Sequence, residues 1–345
     1  MTIDPNSLTE FLVGLLQTPS PTGDTERGIA YVESALNTLG IAPRRTRKGA
    51  LTATLMGKSD TAPRGITAHV DTLGAMVKEI RPNGRLTLTQ LGSYAWNAIE
   101  GENVTISTHA HGAVRGTVQP LQASVHVHGA AVGEAKREAS SLEVRLDART
   151  SSPQETLALG IGVGDFVYLD PRVETINGFI KSRHLDDKAG VACVIAAVKA
   201  LLDSKQTPAQ TITLHFSSYE EVGHGAASGF PPDMTELLTI DMAAIGQGQA
   251  SDEYHCTLCV KDSGGPYSID FSRRLRKIAK DNAIEMKTDI YPSYGSDGEA
   301  LWRAGADVQV ALIGPGVDAS HGYERTHINA LVDTARLIGY YLLAG

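Results

Sequence analysis

Helix-like and strand-like hydrophobic patterns alternate near the start of this chain. Apolar residues recur at helical spacing over 8–15, behind an S-L-T-E capping box at 7–10, and prolines at 19 and 21 end this first helix. A second apolar stripe begins near Thr25 and stops at Gly40. Strand-like stretches follow at 51–56 and 65–70, so the pattern predicts two helices and then two strands.

A similar alternation begins after Arg183 and continues to the end of the chain. It predicts helices at 187–202, 267–282, 297–304 and 327–343, and strands at 211–216, 237–241, 286–290 and 308–313. Strands that alternate with helices usually form a mostly parallel sheet covered by helices on both faces. We therefore expect an α/β fold for this part of the chain.

The middle of the chain has a different hydrophobic pattern. Residues 83–172 show short runs with a period of two, such as Val104 and Ile106, which are separated by glycines and include no convincing helix. This pattern predicts an all-β, barrel-like domain. The expected organisation is one α/β domain, formed by 1–82 and 173–345, with a β domain inserted at 83–172.

Glu220 and Glu221 stand side by side at the end of a predicted strand, in F-S-S-Y-E-E-V-G-H-G. Neighbouring residues of a strand face opposite ways, so both carboxylates can serve one site only where the strand passes into a loop. They are too close in sequence to flank a sugar ring as a glycosidase pair does. A metal ligand beside a general base suits this spacing. An exposed acidic turn is the alternative.

Other potential metal ligands also follow predicted strands. They are His69 and Asp71 after G-I-T-A, Asp241 after L-L-T-I, and His321 in the loop after 308–313. In an open α/β sheet, ligands bind beyond the carboxyl ends of the strands. Imidazole and carboxylate groups hold divalent ions, and two neighbouring ions usually share one carboxylate. These residues therefore indicate a metal site at this edge of the sheet.

Composition limits which class of partner the protein is expected to bind and in which cellular compartment it is expected. The formal net charge of −8 argues against nucleic acid as the main partner. No signal peptide is visible, and the longest apolar run, 191–202, is too short to cross a bilayer. With only three cysteines, the protein is expected to be cytoplasmic and not membrane-bound. Cys256 and Cys259 form a C-x-x-C, but a strand would turn them to opposite faces, which favours a structural role.

Five motifs, taken in order, resemble those of the tetrahedral or glutamyl aminopeptidases, a family of dinuclear metallopeptidases. The motifs are A-H-V-D-T-L-G, H-L-D-D-K-A-G, Y-E-E-V-G-H-G-A, T-I-D-M and A-S-H-G-Y-E. The resemblance spans nearly the whole chain. It implies a zinc-exopeptidase-like catalytic domain, with the β insertion serving oligomerisation or substrate access.

The resemblance also implies partners. It points to a peptide or small amide substrate, two divalent ions per subunit (Zn, with Co or Mn as alternatives) and a homo-oligomer such as a dodecamer. The chain is similar as well to a divergent bacterial branch of the family associated with the osmolyte N-acetylglutaminylglutamine amide.

Residues that match the family motifs take roles from the resemblance. It makes Asp186 the bridge between the two ions, His69 and Asp241 the ligands of one ion, and Glu221 and His321 the ligands of the other. Glu220 would be the general base that activates a metal-bridging water. The carboxylate of Asp71 would hydrogen-bond the far nitrogen of the first histidine. Ser296 and Asp297 would lie near the substrate.

Each of these residues also has an ordinary structural explanation. His69 could be a buried strand residue, and Asp71 a turn former. Asp186 could cap the helix that begins near 187, because Asp is favoured at that position. Asp241 and His321 could be loop residues. The five motifs in order favour the metal site over these alternatives taken together.

The chain departs from the family's usual motifs at three places. Thr72 stands where the family usually has Glu, and Lys188 where it has Arg. The run 317–320 stands where an Arg-Tyr pair commonly precedes the last histidine. Lys keeps the charge of Arg but loses its bidentate fork. These departures leave the metal ligands intact and bear on the substrate pocket.

Two other functions are compatible with these residues. One is a metal-dependent amidohydrolase or deacylase of an N-acylated dipeptide-like metabolite, and the other is a non-catalytic assembly or binding protein. Two H-x-H pairs, His109/His111 and His126/His128, would each chelate a metal if they lay on strands. A polar face of the β domain or an oligomer contact is the favoured explanation for both pairs.

Overall fold

A computed structural model describes residues 1–109 and 112–345, which form two compact units. The first unit comprises Met1–Thr72 and Arg172–Gly345, and the second comprises Leu73–Pro171. The helices are α1 (Pro5–Leu16), α2 (Glu26–Thr38), α3 (Val125–His128), α4 (Ala131–Glu134), α5 (Pro153–Ala158), α6 (Leu185–Asp203), α7 (Ile269–Asp281), α8 (Asp297–Arg303) and α9 (Ile328–Leu343). Among the helices of the described residues, none is both long and apolar enough to cross a membrane.

The strands are numbered through both units. They are β1 (Arg44–Arg45), β2 (Leu51–Leu55), β3 (Arg64–His69), β4 (Gly74–Ile80), β5 (Leu86–Leu91), β6 (Asn103–Ser107), β7 (Ala113–Pro120), β8 (Leu142–Leu146), β9 (Phe166–Leu169), β10 (Glu174–Ile176), β11 (Phe179–Ser182), β12 (Ile212–Ser217), β13 (Glu236–Ile240), β14 (Ala243–Ala244), β15 (Cys256–Lys261), β16 (Met286–Ile290), β17 (Gln309–Val317) and β18 (Glu324–His327).

The first unit is built on a mixed sheet with the strand order β1-β2-β12-β3-β13-β17-β15-β16, and β14 lies beside β17. The middle strands β12, β3, β13 and β17 are parallel, whereas β2 and β15 run antiparallel to their inner neighbours. Both faces are covered. On β17, Ala311 and Ile313 belong to one core with residues of α6 and α9, and Val310 and Leu312 belong to another with Leu301 of α8. The predicted α/β fold is confirmed.

Helix α1 begins earlier than predicted. Asp4 is its N-cap and accepts a main-chain N–H from two residues further on at 3.0 Å, and Pro5 occupies the first helical turn. Ser7 already lies inside the helix, so the capping box predicted at 7–10 is wrong. The apolar stripe of α1 packs against α6.

The hydrophobic pattern failed to predict two sets of strands for identifiable reasons. Strand β15 shows no alternation because it is buried on both faces, with Cys256 in one core and Cys259 in the other. Strands β10, β11 and β18 form a separate antiparallel sheet and are three or four residues long, too short for a period to be recognised. The register of this small sheet sets Ser182 opposite Glu324.

The second unit is a closed barrel with the strand order β4-β5-β8-β7-β6-β9, in which β9 pairs back with β4. Its interior is an apolar cluster that includes Val77, Val104 and Val144. The barrel already includes Gly74–Ile80, which lies before residue 83, because β4 follows β3 after a short loop without a change in composition. Helices α3, α4 and α5 also lie in this unit, where the pattern indicated none.

Glu236, at the start of β13, is the centre of a buried polar network. Its carboxylate forms ion pairs with Arg64, whose Nε is 2.7 Å away, and with the guanidinium of Arg274, and it accepts the Tyr341 hydroxyl at 2.9 Å. Arg64 also donates to the main-chain oxygen of Ala344 at 2.6 Å. Breaking the network would leave a buried charge without its partner, at a cost of about 3–5 kcal/mol. The network therefore holds α9 firmly, at the ends of the strands that lie away from the predicted ligands.

Candidate metal centre

The predicted ligands converge at the carboxyl ends of the parallel strands, because such strands end at one edge of a sheet. His69 is the last residue of β3, and Asp241 directly follows β13. The acidic pair at 220–221 lies in a 3₁₀ turn after β12, whose last residue is in register with His69. Asp186 comes from the first turn of α6, and His321 from the loop between β17 and β18.

Asp186 lies between the two histidines. Its Oδ1 is 3.1 Å from Nε2 of His69, and its Oδ2 is 3.3 Å from Nε2 of His321. Asp241 Oδ1 is 3.9 Å from Nε2 of His69, and Glu221 Oε2 is 3.6 Å from Nε2 of His321. One central carboxylate with a histidine and a further acid on each side is the arrangement that two ions sharing a ligand require.

The ring of His69 is oriented by a main-chain oxygen. Its Nδ1 donates to the carbonyl of Asp71 at 2.8 Å, whereas the Asp71 carboxylate is 3.7 Å from that nitrogen. The predicted hydrogen bond from His69 to the Asp71 side chain is therefore wrong. With Nδ1 donating to this carbonyl, Nε2 is the nitrogen that faces Asp186, and it is the atom that would bind a cation once it is unprotonated.

The carboxylate of Asp71 instead holds the acidic turn. Its Oδ1 accepts the N–H of Glu220 at 3.1 Å, and its Oδ2 accepts the N–H of Glu221 at 3.3 Å and the Thr22 hydroxyl at 2.6 Å. These donors draw the buried carboxylate away from His69, and hydrogen bonds to a charged acceptor are strong. Within the turn, the Glu220 side chain is 14% exposed and that of Glu221 only 4%.

Asp187 is a second buried aspartate that no sequence pattern singled out as functional. Its Oδ2 accepts the N–H of His69 at 3.2 Å, and its Oδ1 accepts the N–H of Gly190 at 3.1 Å. A Cβ at residue 190 would lie 2.3 Å from that oxygen, so the close approach requires glycine. The helix cap considered as an alternative role for Asp186 is made by Asp187. The peptide bond between the two aspartates is cis.

The residues present fit divalent cations. Burial raises the pKa values of Glu220, Glu221 and Asp241 well above their usual range, and neighbouring carboxylates add to the shift. Within the described part of the chain, the buried Oε1 of Glu221 has no hydrogen-bond partner. Ligand atoms of His69, Asp186 and Glu221 lie within 4.8 Å of one another. A bound cation would offset the repulsion and satisfy the open oxygen.

A cavity of about 370 Å³ opens onto these groups. Beyond the predicted ligands it is lined by 293–296, Met242, Ala244 and Arg303. Ser296, which the resemblance places near the substrate, lines this cavity and its hydroxyl is 2.7 Å from that of Tyr267. Ser296 is itself only 3% exposed, so it belongs to the cavity wall and its hydroxyl is engaged with Tyr267.

Asp297 has a different environment from Ser296. It is 2% exposed, and its carboxylate accepts the hydroxyls of Ser217 and Thr67 and the N–H of Ala226 at 2.5, 3.3 and 2.8 Å. This buried carboxylate joins the start of α8 to β3, to β12 and to the loop after the acidic turn. The geometry therefore favours a supporting role for Asp297 rather than contact with substrate.

Arg303 is a cavity residue that sequence reasoning missed, since no motif marks a single arginine at the end of a helix. Its side chain is 63% exposed, and Nη2 is 3.3 Å from Oε2 of Glu299. Burial raises the pKa of Glu299 to about 7, and a hydrogen bond with Asp262 adds to the shift. Near neutral pH, Glu299 therefore offsets only part of the positive charge of Arg303.

The three departures from the family motifs lie in different surroundings. Lys188 is fully buried, and its Nζ donates to the carbonyls of Leu15 at 3.0 Å and Thr18 at 2.6 Å, at the end of α1. Thr72 is buried and its N–H bonds to the carbonyl of Ser20 at 3.0 Å. Of the run 317–320, Ser320 lines the cavity. The last departure is therefore the one that faces a substrate.

The remaining sequence candidates each have their own surroundings. Burial raises the pKa values of Cys256 and Cys259 to about 12, which keeps both thiols protonated and supports a structural role. His126 and His128 lie on α3 and not on a strand, so their side chains do not share a face, which rules out the less favoured alternative of a chelating pair on a strand. His109 Nδ1 is 2.6 Å from Asp165 Oδ1, and His111 lies outside the described residues.

The sequence is similar to aminopeptidases over nearly its whole length. A family model described as M42 glutamyl aminopeptidase matches residues 49–337. A putative aminopeptidase of Bacillus subtilis, YhfE, is 46% identical over 334 residues, which cover 96% of this chain and 96% of that protein. The glutamyl aminopeptidase of Lactococcus lactis subsp. cremoris is 26% identical over 303 residues, which cover 82% of this chain and 81% of that protein.

A solved structure has the same fold. It is the TET1 peptidase of Pyrococcus horikoshii, which is described as able to assemble into a tetrahedron or a large octahedral shell. It matches this chain with a TM-score of 0.85 at 22% identity, over 98% of this chain and 100% of that one.

Proposed function

This chain belongs to the M42 glutamyl aminopeptidase family and is a metal-dependent aminopeptidase, and we propose that it removes single residues from the amino end of peptides with Glu220 as general base. The observation that carries the proposal is the acidic pair at the edge of a cluster of nitrogen and oxygen ligands. Both carboxylates line the cavity, but the Glu221 side chain is only 4% exposed and lies 3.6 Å from His321 Nε2, whereas Glu220 is 14% exposed. The relatives do not support a deacylase or a non-catalytic binding protein.

The chemistry divides between the ions and the side chains. Ions held by His69, Asp186, Glu221, Asp241 and His321 would act as Lewis acids toward the amide carbonyl and the attacking water. Glu220 is not a metal ligand in this assignment. It therefore accepts the proton of the attacking water and returns it to the leaving nitrogen. The hydrogen bond of 3.1 Å from its N–H to Asp71 fixes the base relative to the cavity.

The charge of the cavity supports a substrate with a free amino group. Glu221 and Asp241, which line it, are assigned to the ions, so Glu220 is the lining carboxylate left to complement a protonated α-amino group. An N-acetyl group would carry no charge and would bring a carbonyl oxygen towards negative groups. We therefore assign peptides with a free amino end as substrates.

The remaining proposals concern the ion, the assembly and the compartment. We propose zinc as the ion, since the ligands are imidazole nitrogens and carboxylate oxygens, with cobalt or manganese as alternatives. We propose a homo-oligomer, specifically a dodecamer, supported by the assemblies described for the Pyrococcus TET1 peptidase. The barrel unit would serve oligomerisation or substrate access. The cysteines Cys193, Cys256 and Cys259 are free, which supports a cytoplasmic location.

Removal of metal is the direct test of the proposed function. After dialysis against a chelator, the protein is expected to release its ions and lose peptidase activity, and to recover activity on addition of Zn²⁺, Co²⁺ or Mn²⁺. Rates are measured on dipeptides with a free amino end and on the same dipeptides after N-acetylation. Faster hydrolysis of the acetylated set, or full activity in the metal-free protein, would contradict the proposal.

Arg303 indicates a preference for an acidic residue at the amino end of the substrate. The guanidinium lines the cavity, and Glu299 neutralises it fully only when ionised, above a pH of about 7. We expect the ratio of kcat/KM for a glutamyl over a leucyl substrate to fall as pH rises through about 7. Using the ratio cancels effects of pH that are common to both substrates.

The matched variant for this preference is Arg303→Met, which keeps most of the side-chain volume. We expect the glutamyl-to-leucyl ratio to drop about three- to tenfold and to lose its pH dependence near neutrality. Leucyl hydrolysis serves as the internal control, since it does not use the charge. An unchanged ratio in the variant would show that another part of the cavity selects the side chain.

A further inference from the structure

Glu324 lies between the two loops that carry Asp186 and His321. Strands β11 and β18 pair in antiparallel fashion with Ser182 opposite Glu324. The chain leaves β11 at this point and reaches Asp186 four residues after Ser182, while His321 precedes Glu324 by three residues. Because the strands run in opposite directions, the end of one and the start of the other meet at the same place.

The carboxylate of Glu324 bonds to the main chain of both loops. Its Oε2 accepts the N–H of Asp186 at 3.2 Å, and its Oε1 accepts the N–H of His321 at 3.0 Å. The residue is 2% exposed, so water does not compete strongly for these bonds. Neither N–H belongs to a regular helix or strand ladder, since Asp186 has non-helical backbone angles and His321 has a φ of 63°.

We propose that Glu324 is a positioning residue that sets the distance between the bridging ligand Asp186 and the terminal ligand His321, a role that rests on the proposed metal site. One rigid carboxylate fixes both backbones at once, so the gap of 3.3 Å between Asp186 Oδ2 and His321 Nε2 depends on it. Glu324 does not itself line the cavity, and its hydrogen bonds do not reach His69 or Asp241, the ligands of the second ion. Its loss should therefore affect one ion more than the other.

Asp71 provides the same kind of support on another side of the site. Its two oxygens accept the N–H groups of Glu220 and Glu221, as those of Glu324 accept the N–H groups of Asp186 and His321. The ion beside His321 therefore depends on Glu324 for two ligands and on Asp71 for the third. A ligand atom displaced by a few tenths of an ångström weakens binding, and loss of such outer partners typically costs about 10–100-fold in metal affinity.

The experiment is a Co²⁺ titration of the metal-free Glu324→Gln protein beside wild type. Glutamine has the same shape, but its amide offers an acceptor to one N–H and a donor to the other, so one of the two bonds is lost. We expect one of two Co²⁺ ions to bind about 10–100-fold more weakly and the visible absorption of that ion to change, while the other ion, which shares only Asp186 with it, is weakened much less. This readout does not depend on enzyme activity.

Glu236→Gln is the matched control. Glu236 is also a buried glutamate with several partners, but it lies at the opposite ends of the strands. The Glu236→Gln substitution should lower thermal stability without changing either Co²⁺ dissociation constant or the Co²⁺ absorption spectrum. It therefore separates an effect on ligand position from a general loss of stability.

A second variant keeps the test decisive if Glu324→Gln does not fold. Glu324→Asp retains the carboxyl group but is one methylene shorter, so it reaches only one of the two N–H groups, and the same weakening of one ion is expected. Wild-type constants for both ions in a folded Gln or Asp variant would overturn the role of Glu324. Failure of the wild-type protein to bind Co²⁺ would instead overturn the proposed function.

Discussion

Glu220→Gln is expected to keep its fold and both ions and to lose about 100- to 10,000-fold in kcat, which is the usual contribution of a general base or acid. Glutamine has nearly the shape of glutamate, and the main-chain bond to Asp71 that holds residue 220 is unaffected. The amide cannot accept the proton of the attacking water. The measurement is kcat on a dipeptide at saturating metal, together with the metal content of the purified variant.

Glu221→Gln is the matched control, since both residues lie in one turn held by one carboxylate. Glu221 is the nearer of the two to His321 and has the buried oxygen without a partner among the described residues. We expect this variant to lose affinity for one ion and to regain part of its rate when metal is added in excess. Rescue of Glu220→Gln by excess metal would reverse the two roles.

Asp186→Asn is expected to abolish activity and to weaken the binding of both ions. Asp186 has one oxygen 3.1 Å from His69 Nε2 and the other 3.3 Å from His321 Nε2. Asparagine retains one oxygen and replaces the other by an amide that donates, so it can serve one ion at most. The loss should exceed the roughly 10–100-fold that removal of an outer partner costs, and Co²⁺ titration measures it.

Asp187→Asn tests which aspartate of the L-D-D motif binds the ions. Oxygens of Asp187 also lie within 4.8 Å of ligand atoms of His69 and Asp241. They already accept the N–H groups of His69 and Gly190, however, and an asparagine oxygen can keep one of these bonds. We expect a moderate loss of stability and retention of both ions. If Asp187→Asn lost the ions and Asp186→Asn kept them, the two assignments would have to be exchanged.

Three buried carboxylates hold the predicted ligands by their main chains. Asp187 accepts the N–H of His69, Asp71 those of the acidic turn, and Glu324 those of Asp186 and His321. Each hydrogen bond orients a residue whose own side chain remains available for a cation.

Much of the first unit could be predicted because its long elements have a strong periodicity. The helix expected at 187–202 is α6, and the strands expected at 65–70 and 211–216 are β3 and β12, each within two residues at either end. The failures have identifiable causes. Strand β15 is buried on both faces, and β10, β11 and β18 are too short to show a period. Helix α1 begins at Pro5, ahead of the predicted capping box, because Asp4 caps it and a proline is favoured in the first helical turn.

The sequence by itself determined which chemistry is available: two histidines and several acids, each placed after a strand, where parallel strands bring their ends together. Only the tertiary structure decided what holds these groups. Asp71 was expected to bond the ring of His69 and instead holds the turn at 220–221, while Glu324 and Asp187 were not singled out. The physical reason is that these carboxylates bind main-chain N–H groups. Every residue except proline has one, so no pattern of side chains reveals which N–H the fold will bring within hydrogen-bond distance of a buried acid.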